Sequence, residues 1–439
     1  MTNLKPKLST LFMAGAVMTV SLAAVAQPPA PAPAADQTPA AAPAAAAPAA
    51  APTPVWSVGS VDLSGYVDVY YSYNANRPSD QLNDLYNFDD ATDQFNLEAA
   101  KLTLNHDPDP VGAHLDILFG RTNALIHGNS AAEGTTDNYI EQAYFSVKPP
   151  KAKGLELDFG QFTTSAGQEV IETMNNWSYS HGLLFSWAIP YYHFGLRSSM
   201  PVTKTWTLGV QLVNGWNNVV ANNGGVTVGI TSGYVKPKYT WNANYYFGPS
   251  NTGIEPPDYL GTQKGYRNLI DTTLLLTPNA KFNAYFNYDY GTNHVPAVPA
   301  VPATFSPAVA HWSPHWQGIA GSARGQISAN GALVGRYEYF YDQGYAMMGY
   351  FSTYGSGPVK QTLQEITGTY EYKWPAGLLL RAEYRYDWST KKIFTYGNAY
   401  YDPPGPNNSD TYTAIYNPLK VKNQSTVTLG LIAFFGPKR

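Results

Sequence analysis

The sequence predicts an all-β fold: a transmembrane antiparallel up-and-down β-barrel of about 16 strands, preceded by a signal peptide and a disordered Ala/Pro-rich tether. Three observations predict it. Apolar and polar side chains alternate in segments of about ten residues, aromatic residues gather near the segment ends, and the connections are alternately short and long. The 439 residues divide accordingly into residues 1–26, 27–54 and 55–439.

The N-terminus predicts export. Two lysines precede an uncharged apolar stretch at residues 8–25, and Ala24 and Ala26 supply the small side chains that a signal peptidase recognises. We therefore expect cleavage between Ala26 and Gln27. An uncleaved membrane anchor is the alternative, but the apolar stretch is short and the cleavage site is a good match.

Residues 27–54 are almost entirely alanine and proline, with Asp36 as the single charge. This composition cannot build a packed core, so we expect a disordered, polyproline-like tether of up to about 3.1 Å per residue. We expect the tether to lie in the periplasm. A direct contact with peptidoglycan is the less favoured interpretation of the same segment.

From residue 55 onward the pattern has a period of two, which is typical of strands and not of helices. In the first segment, one face carries Val61, Leu63, Gly65, Val67, Val69 and Tyr71, and the other carries Asp62, Ser64, Asp68 and Ser72. A soluble sheet with one wet face alternates in the same way, so alternation alone does not choose between a sandwich and a membrane barrel. Tryptophan and tyrosine near the segment ends favour the barrel, because its interfacial girdles lie there.

The spacing of the segments predicts sixteen strands. They run over residues 60–74, 94–105, 111–122, 137–148, 155–163, 190–199, 205–214, 225–236, 239–248, 267–277, 281–290, 315–325, 331–342, 361–373, 377–388 and 424–435. Short turns follow the even segments and long loops follow the odd ones, the largest being 164–189, 291–314 and 389–423. An outer-membrane barrel requires this arrangement and an even strand number, because closure leaves no unpaired strand edge in lipid.

If the apolar face meets lipid, the polar face lines the lumen. Acids assigned to that lining include Asp62, Asp68, Asp116, Glu338, Glu383 and Asp387. So polar a lining requires water, and sixteen strands are enough to enclose an aqueous channel, whereas an eight-strand barrel is filled by its own side chains. Acids outnumber bases at the inward positions, which favours a weak preference for cations. The alternative is that many of these charges pair across neighbouring strands.

The long loop between the fifth and sixth segments is the candidate constriction. In a ring of sixteen strands its stem lies opposite the thirteenth segment. An inward fold would therefore bring Glu169 and Glu172 toward the side that carries Arg336, Arg381 and Arg385. Carboxylates and guanidinium groups that face one another across a pore set a transverse field and a size limit. An ordinary exposed loop is the alternative.

Several motifs also resemble a known family. They are Gly160-Gln161-Phe162-Thr163, Gly167, Glu169, Asn176-Trp177-Ser178-Tyr179-Ser180, Asn214-Gly215-Trp216-Asn217 and Tyr246-Phe247-Gly248-Pro249. Together they are similar to the OmpL-like β-barrel porins of bacterial outer membranes, over most of the chain from residue 60. The resemblance implies a porin fold and passive uptake, and it transfers no catalytic residues. Two departures are His181, where the family usually has Arg, and the residues Gly-Pro-Lys-Arg that follow Phe435 in place of a terminal aromatic.

Composition excludes other classes. The chain has no cysteine, which removes disulfide scaffolds, thiolate metal sites and a lipoprotein anchor. A mean hydropathy of −0.27 argues against a polytopic helical membrane protein, and a net charge of −4 gives no electrostatic case for nucleic acid. We predict no cofactor and no metal site, since the acidic first outer loop matches no calcium-binding spacing.

A receptor or adhesin and a rim-sited enzyme on a closed barrel remain as alternatives. His181 has Ser178 and Ser180 nearby, but no carboxylate is identifiable that would orient a base, so we predict no catalytic residues. The expected function is an outer-membrane diffusion pore. Its expected partners are membrane lipid and lipopolysaccharide, small hydrophilic solutes and the barrel-assembly machinery, and analogy at the level of the fold suggests a homotrimer.

Overall fold

The computed structural model describes residues 57–58, 61–127, 139–221, 225–249, 265–294, 313–343, 360–397 and 419–436. Sixteen antiparallel strands within these ranges form a closed barrel, as the alternation predicts. The strands are β1 (Val61–Asn74), β2 (Gln94–His106), β3 (Val111–Phe119), β4 (Ile140–Val147), β5 (Glu156–Thr163), β6 (Tyr192–Pro201), β7 (Trp206–Val213), β8 (Thr227–Lys236), β9 (Tyr239–Pro249), β10 (Tyr266–Asn279), β11 (Phe282–His294), β12 (His315–Gln326), β13 (Gly331–Asp342), β14 (Gln361–Trp374), β15 (Leu378–Ser389) and β16 (Asn423–Phe435). The ring closes where β16 pairs with β1, with Thr426 opposite Asn74 and Phe435 opposite Gly65.

The third strand ends earlier than the sequence predicts. The predicted segment extends to residue 122, whereas β3 ends at Phe119 and a helix, α1 (Arg121–His127), follows. Gly120 between them has a φ of 111°, in the left-handed region, and a side chain there would lie 2.5 Å from the backbone oxygen of Glu98. Because glycine adopts this conformation without steric cost, the chain can leave the wall at this point and turn inward.

The outward face of the strands is apolar. Exposed outward side chains include Val67, Val210, Ile230, Phe286 and Ile366. Trp206 is the first residue of β7 and Trp374 is the last residue of β14, so both lie at strand ends on the side of the short turns. Aromatic residues at this level are typical of the interface between lipid and water.

The core of the protein lies inside the barrel. Three segments fold inward: the first outer loop at residues 75–93, α1, and a long loop at residues 164–191 that contains a 3-10 turn (Thr173–Asn175) and the helix α2 (Leu183–Trp187). Their buried apolar side chains include Phe88, Ile126, Tyr179, Leu184 and Phe185. These side chains pack against one another and against inward residues of the wall, so burial of apolar surface holds the loops inside the barrel.

Two short pairings extend the barrel. Ser57–Val58 pairs with the start of β1, and Phe394–Tyr396 pairs with Leu419–Val421 above β15 and β16. The second hairpin also holds the first outer loop, because the N–H of Thr395 donates to the carboxylate of Asp84 at 2.5 Å. None of the helices in the described residues is long and apolar enough to cross a membrane.

Candidate functional site in the barrel lumen

The long loop follows the inner wall before it crosses the lumen. The backbone oxygen of Ser165 accepts a hydrogen bond from Asn244 of β9 at 2.9 Å. Two residues later the N–H of Gly167 donates to Asp271 of β10 at 3.1 Å. Gly167 has a φ of 87°, so the chain turns here at a residue that adopts this conformation readily. The loop is therefore folded inward, which is the condition for the predicted constriction.

Three buried arginines of the opposite wall bind backbone carbonyl groups of the loop. The pairs are Arg336 of β13 with Ser180 at 2.6 Å, Arg381 of β15 with Thr173 at 2.5 Å, and Arg385 of β15 with His181 at 2.6 Å. Each guanidinium donates through a side-chain N–H. The wall thus supplies donors to backbone carbonyl groups of the loop, although Thr173 also accepts from the N–H of Asn176 in the 3-10 turn.

Carboxylates of the same wall bind N–H groups of the loop. The pairs are Glu383 of β15 with Tyr179 at 2.6 Å and with Ser180 at 3.0 Å, and Glu338 of β13 with Leu184 at 2.9 Å. A buried backbone group without a partner costs about 1–3 kcal/mol, so these bonds allow an irregular loop to lie inside the barrel. The inward charges of β13 and β15 are docking groups for the loop backbone.

Two of the predicted constriction residues, Glu169 and Arg336, are in direct contact. A carboxylate oxygen of Glu169 lies 2.7 Å from a guanidinium nitrogen of Arg336. Glu172, by contrast, lies 2.5 Å from Nζ of Lys101 on β2 and not against an arginine. The expectation that both glutamates face the arginines therefore differs from the structure. Between residues 169 and 172 the loop passes from β13 toward β2, a path that strand count alone does not reveal.

The other two arginines are neutralised by the wall itself. Arg381 lies 2.9 Å from Glu371 of β14, and Arg385 lies 2.7 Å from Asp387 of its own strand. All of these side chains are buried. Because each arginine contacts a carboxylate directly, these residues do not form two rows of opposite charge separated by water.

Most of the acids assigned to the lumen are buried. Asp68, Asp116, Glu338, Glu383 and Asp387 point inward and are at most 4% exposed, whereas Asp62 is half-buried near the start of β1. Asp68, for example, accepts a hydrogen bond from the hydroxyl of Tyr179 at 2.8 Å. The sequence predicts that water surrounds these acids. In the structure, inward-folded segments and neighbouring charged side chains surround the five buried acids instead of water.

A different part of the wall is accessible. Inward residues that are half-buried include Thr103, His114, Gln142, Tyr144, Arg197, Thr231 and Asn242, all in β2–β9. The ring of Tyr144 stacks on that of His114 with centroids 5.1 Å apart, and the guanidinium of Arg197 lies 5.0 Å from the Tyr144 ring centroid. Arg197 also pairs with Asp158 at 2.6 Å. We call the inner surface formed by these seven side chains the accessible wall, and each of the seven carries a polar atom.

Three carboxylates surround one ammonium group beside the accessible wall. Nζ of Lys101 lies 2.8 Å from Asp116, 2.8 Å from Glu141 and 2.5 Å from Glu172. One oxygen of each carboxylate lies within 4.8 Å of the others, a spacing that suits a cation. We call these four residues the Lys101 cluster. Alternation places Lys101 inward, whereas Glu141 reaches the lumen at a register shift where β4 pairs with Asp116 and Ile117 of β3. No sequence signal predicts that the two residues meet Glu172.

A family model described as "Putative beta-barrel porin-2, OmpL-like" matches residues 60–435. The chain belongs to this family. The match spans all sixteen strands of the barrel, and the family that the motifs resemble is confirmed. The protein is accordingly an outer-membrane barrel of the porin type.

Solved structures share this fold at low sequence identity. Outer-membrane expressed OmpT of Vibrio cholerae is 13% identical with a TM-score of 0.50, covering 85% of this chain and 97% of that chain. The trimer form of in-vitro folded OmpT is 13% identical with a TM-score of 0.51, covering 85% and 99%. A Salmonella typhi OmpF complex with daunomycin is 12% identical with a TM-score of 0.51, covering 85% and 97%. No curated protein matches the chain.

His181 has a packing role inside the barrel. Its ring centroid lies 4.1 Å from that of Phe88 and 4.9 Å from that of Phe185. Nε2 donates to the backbone oxygen of Val170 at 2.8 Å. Burial lowers the pKa of His181, which favours the neutral ring. The histidine therefore joins the long loop to the first outer loop.

Proposed function

We propose that the protein is a porin whose water-filled channel carries small hydrophilic solutes by passive diffusion along the accessible wall. The observation that carries this proposal is the set of polar, half-buried side chains that form the accessible wall, which contrasts with the wall buried under the long loop. Polar side chains that face a lumen and keep part of their surface accessible can be hydrated, as a diffusion path for hydrophilic solutes requires.

Charge on the accessible wall supports a weak preference for cations. The Lys101 cluster contains three carboxylates and one ammonium group, so it carries a formal excess of negative charge. The other contacts do not cancel this excess, because Arg197 is already paired with Asp158. A fixed negative charge in a cleft with low-dielectric walls raises the local concentration of cations.

The long loop defines the width of the channel in this proposal. The loop is held against the arginine-bearing wall by Glu169, Arg336, Arg381 and Arg385. Glu172 binds Lys101 and so attaches the loop to β2. These five residues then set a constriction by positioning the loop backbone, and only Glu172 contributes charge at the edge of the solute path.

We infer transport and not catalysis. His181, which has Ser178 and Ser180 nearby in the sequence, packs against Phe88 and binds a backbone carbonyl group. A closed receptor or adhesin is the second candidate, since three segments fold inward from the outer rim. A closed barrel predicts no ion current from folded protein, whereas the proposed channel predicts stable current steps.

The experiment is single-channel recording of the refolded mature chain in a planar bilayer. The expected result is stable conductance, with a reversal potential in a potassium chloride gradient that indicates weak cation preference. Sugars of increasing size added to the bath should reduce the current until they no longer enter. A folded barrel that conducts nothing would contradict the channel and favour the receptor.

We further propose that residues 1–26 are removed on export, that residues 27–54 lie in the periplasm, and that the barrel forms a homotrimer in lipid and lipopolysaccharide after insertion by the barrel-assembly machinery. The composition of the N-terminus and the trimer form of OmpT support these steps. The intact mass of protein from outer membranes should correspond to a chain that begins at Gln27. Chemical crosslinking in membranes should yield a trimer band.

A further inference from the structure

The Lys101 cluster holds an ammonium group in the geometry that such a group requires. A protonated amine has three N–H donors and no acceptor. Nζ of Lys101 contacts three carboxylates, Asp116 on β3 and Glu141 on β4 at 2.8 Å each, and Glu172 on the long loop at 2.5 Å. There is thus one carboxylate for each donor.

The carboxylates outnumber the positive charge that they surround. Three carboxylates and one ammonium leave a formal charge of −2, and His114, 3.1 Å from Asp116, adds a positive charge only when it is protonated. Glu141 is fully buried, and in the described part of the chain its Oε1 has neither a hydrogen bond nor an ion pair. Buried negative charge without compensation is costly, so Glu141 is stabilised either by a proton or by a second cation.

The cluster lies beside the proposed solute route. The side chains of Glu172 and His114 keep 14% and 15% of their surface exposed, and Thr103 and Gln142 next to them are half-buried. A solute that moves along the accessible wall therefore passes the open side of the cluster.

We propose that the Lys101 cluster is a binding site for the ammonium group of cationic solutes and that Lys101 is its built-in competitor. The solute's ammonium exchanges with that of Lys101 against Glu141 and Glu172, and the solute leaves when Lys101 returns. This inference rests on the proposed channel and narrows its solutes to a class, small hydrophilic molecules that carry a primary amine.

The donor set suits an ammonium better than a divalent cation. Ca²⁺ takes six to eight oxygen ligands and Mg²⁺ requires near-octahedral geometry, whereas the cluster supplies three carboxylates. Asp116 is already bound by the hydroxyl of Thr103 at 2.5 Å and by the amide of Gln142 at 2.7 Å. Its oxygens are consequently less available to complete the shell of a metal ion.

The test is isothermal titration of the refolded mature chain in detergent with n-butylammonium chloride. Tetramethylammonium, which has the same charge but no N–H donor, and Mg²⁺ are titrated in parallel. The variants are Lys101→Met, Glu141→Gln and, as a matched carboxylate outside the cluster, Glu156→Gln, whose partner is the exposed Lys148. Only protein that shows the heat-dependent gel shift of a folded barrel is used.

Butylammonium is expected to bind the wild-type chain, to bind Lys101→Met at least tenfold more tightly because the internal competitor is gone, and to bind Glu141→Gln at least tenfold more weakly. Glu156→Gln should match the wild type. If Lys101→Met does not fold, the affinities of Glu141→Gln and the wild type for butylammonium decide whether the cluster is the binding site. No binding, equal binding of tetramethylammonium, or tighter binding of Mg²⁺ would each overturn the proposal.

Bilayer recordings separate this site from the proposed channel. If both hold, butylammonium reduces the potassium current with the affinity found by titration. A folded chain that binds butylammonium but carries no current retains the site and contradicts the channel. A chain that conducts but does not bind butylammonium retains the channel and contradicts the site.

Discussion

The carboxylate of Glu169 lies 2.7 Å from the guanidinium of Arg336, and this ion pair joins the long loop directly to β13. Arg336 also contacts Glu365 at 2.8 Å, and both acids and the arginine are buried. A buried ion pair adds little net stability, but loss of one partner costs about 3–5 kcal/mol because the other charge stays buried without compensation. The pair is therefore one of the contacts that determine where the loop docks.

Arg336→Met should release the long loop while the barrel stays closed. The substitution leaves Glu169 and Glu365 without their cation, so we expect the docked loop to lose about 3–5 kcal/mol. Limited proteolysis should then cut within residues 164–191, and single-channel currents should become noisy. Lys148→Met, which breaks an exposed pair with Glu156, should change stability by about 0–1 kcal/mol. A protected loop and steady currents in Arg336→Met would contradict this role of the pair.

Gly430→Ala should displace the same loop from β16. A Cβ at residue 430 would lie 2.0 Å from a ring carbon of Tyr179, which packs flat against this glycine. Overpacking of this kind costs about 1–3 kcal/mol. Gly335→Ala on β13 is the matched control, since no atom lies within 4 Å of a Cβ there. Equal melting temperatures and equal loop proteolysis for the two variants would show that Tyr179 does not need the space at Gly430.

Charge reversal should distinguish the two glutamates of the long loop. Glu172→Lys places a positive charge beside the accessible wall, so the reversal potential should shift toward anion preference. Glu169→Lys sets two cations against each other at Arg336 and should displace the loop instead, with larger and noisier currents. Asp107→Lys, in the exposed short turn between β2 and β3, controls for net charge. An unchanged reversal potential in Glu172→Lys would argue against a selective role for the cluster.

The barrel could be predicted because a period of two assigns a face to each residue of a strand wherever the register is regular. In β14, for example, Glu365 and Thr367 point inward and Ile366 points outward, as the alternation requires. Alternation does not predict where a strand ends, because the end depends on the backbone conformation of single residues. The chain leaves β3 at Gly120, which has a positive φ, although the sequence predicts a strand that extends to residue 122.

The partners within the lumen could be predicted only in part. The inward positions of Arg336 and Glu383 follow from periodicity, but their partners are backbone groups of a loop without periodicity. Strand count brings Glu169 to the arginine-bearing wall. Strand count does not predict that Glu172 meets Lys101. That contact depends on the irregular backbone conformation between Glu169 and Glu172.

The buried carboxylate of Asp89 should make the docking of the first outer loop depend on pH. Asp89 is 2% exposed, and neither of its oxygens has a hydrogen-bond partner in the described part of the chain. Burial, reinforced by the carboxylates of Glu383 and Glu98 and opposed by Arg385, raises the pKa of Asp89 well above its usual range. In the released loop the same carboxyl ionises near its ordinary value of about 4. Stability from this group is therefore complete below about pH 4 and falls as the pH rises toward the raised pKa.

Asp89→Asn should remove this pH-dependent loss of stability, because an amide does not ionise. We expect the melting temperature of Asp89→Asn in detergent to match the wild type near pH 4 and to exceed it increasingly between pH 4 and pH 8. Asp80→Asn, an exposed carboxylate of the same loop whose contact is the N–H of Leu82, is the control and should show no such growth. A constant difference across the range would mean that Asp89 acts by packing alone, and a less stable variant at pH 8 would mean that its charged form is bound in the folded protein.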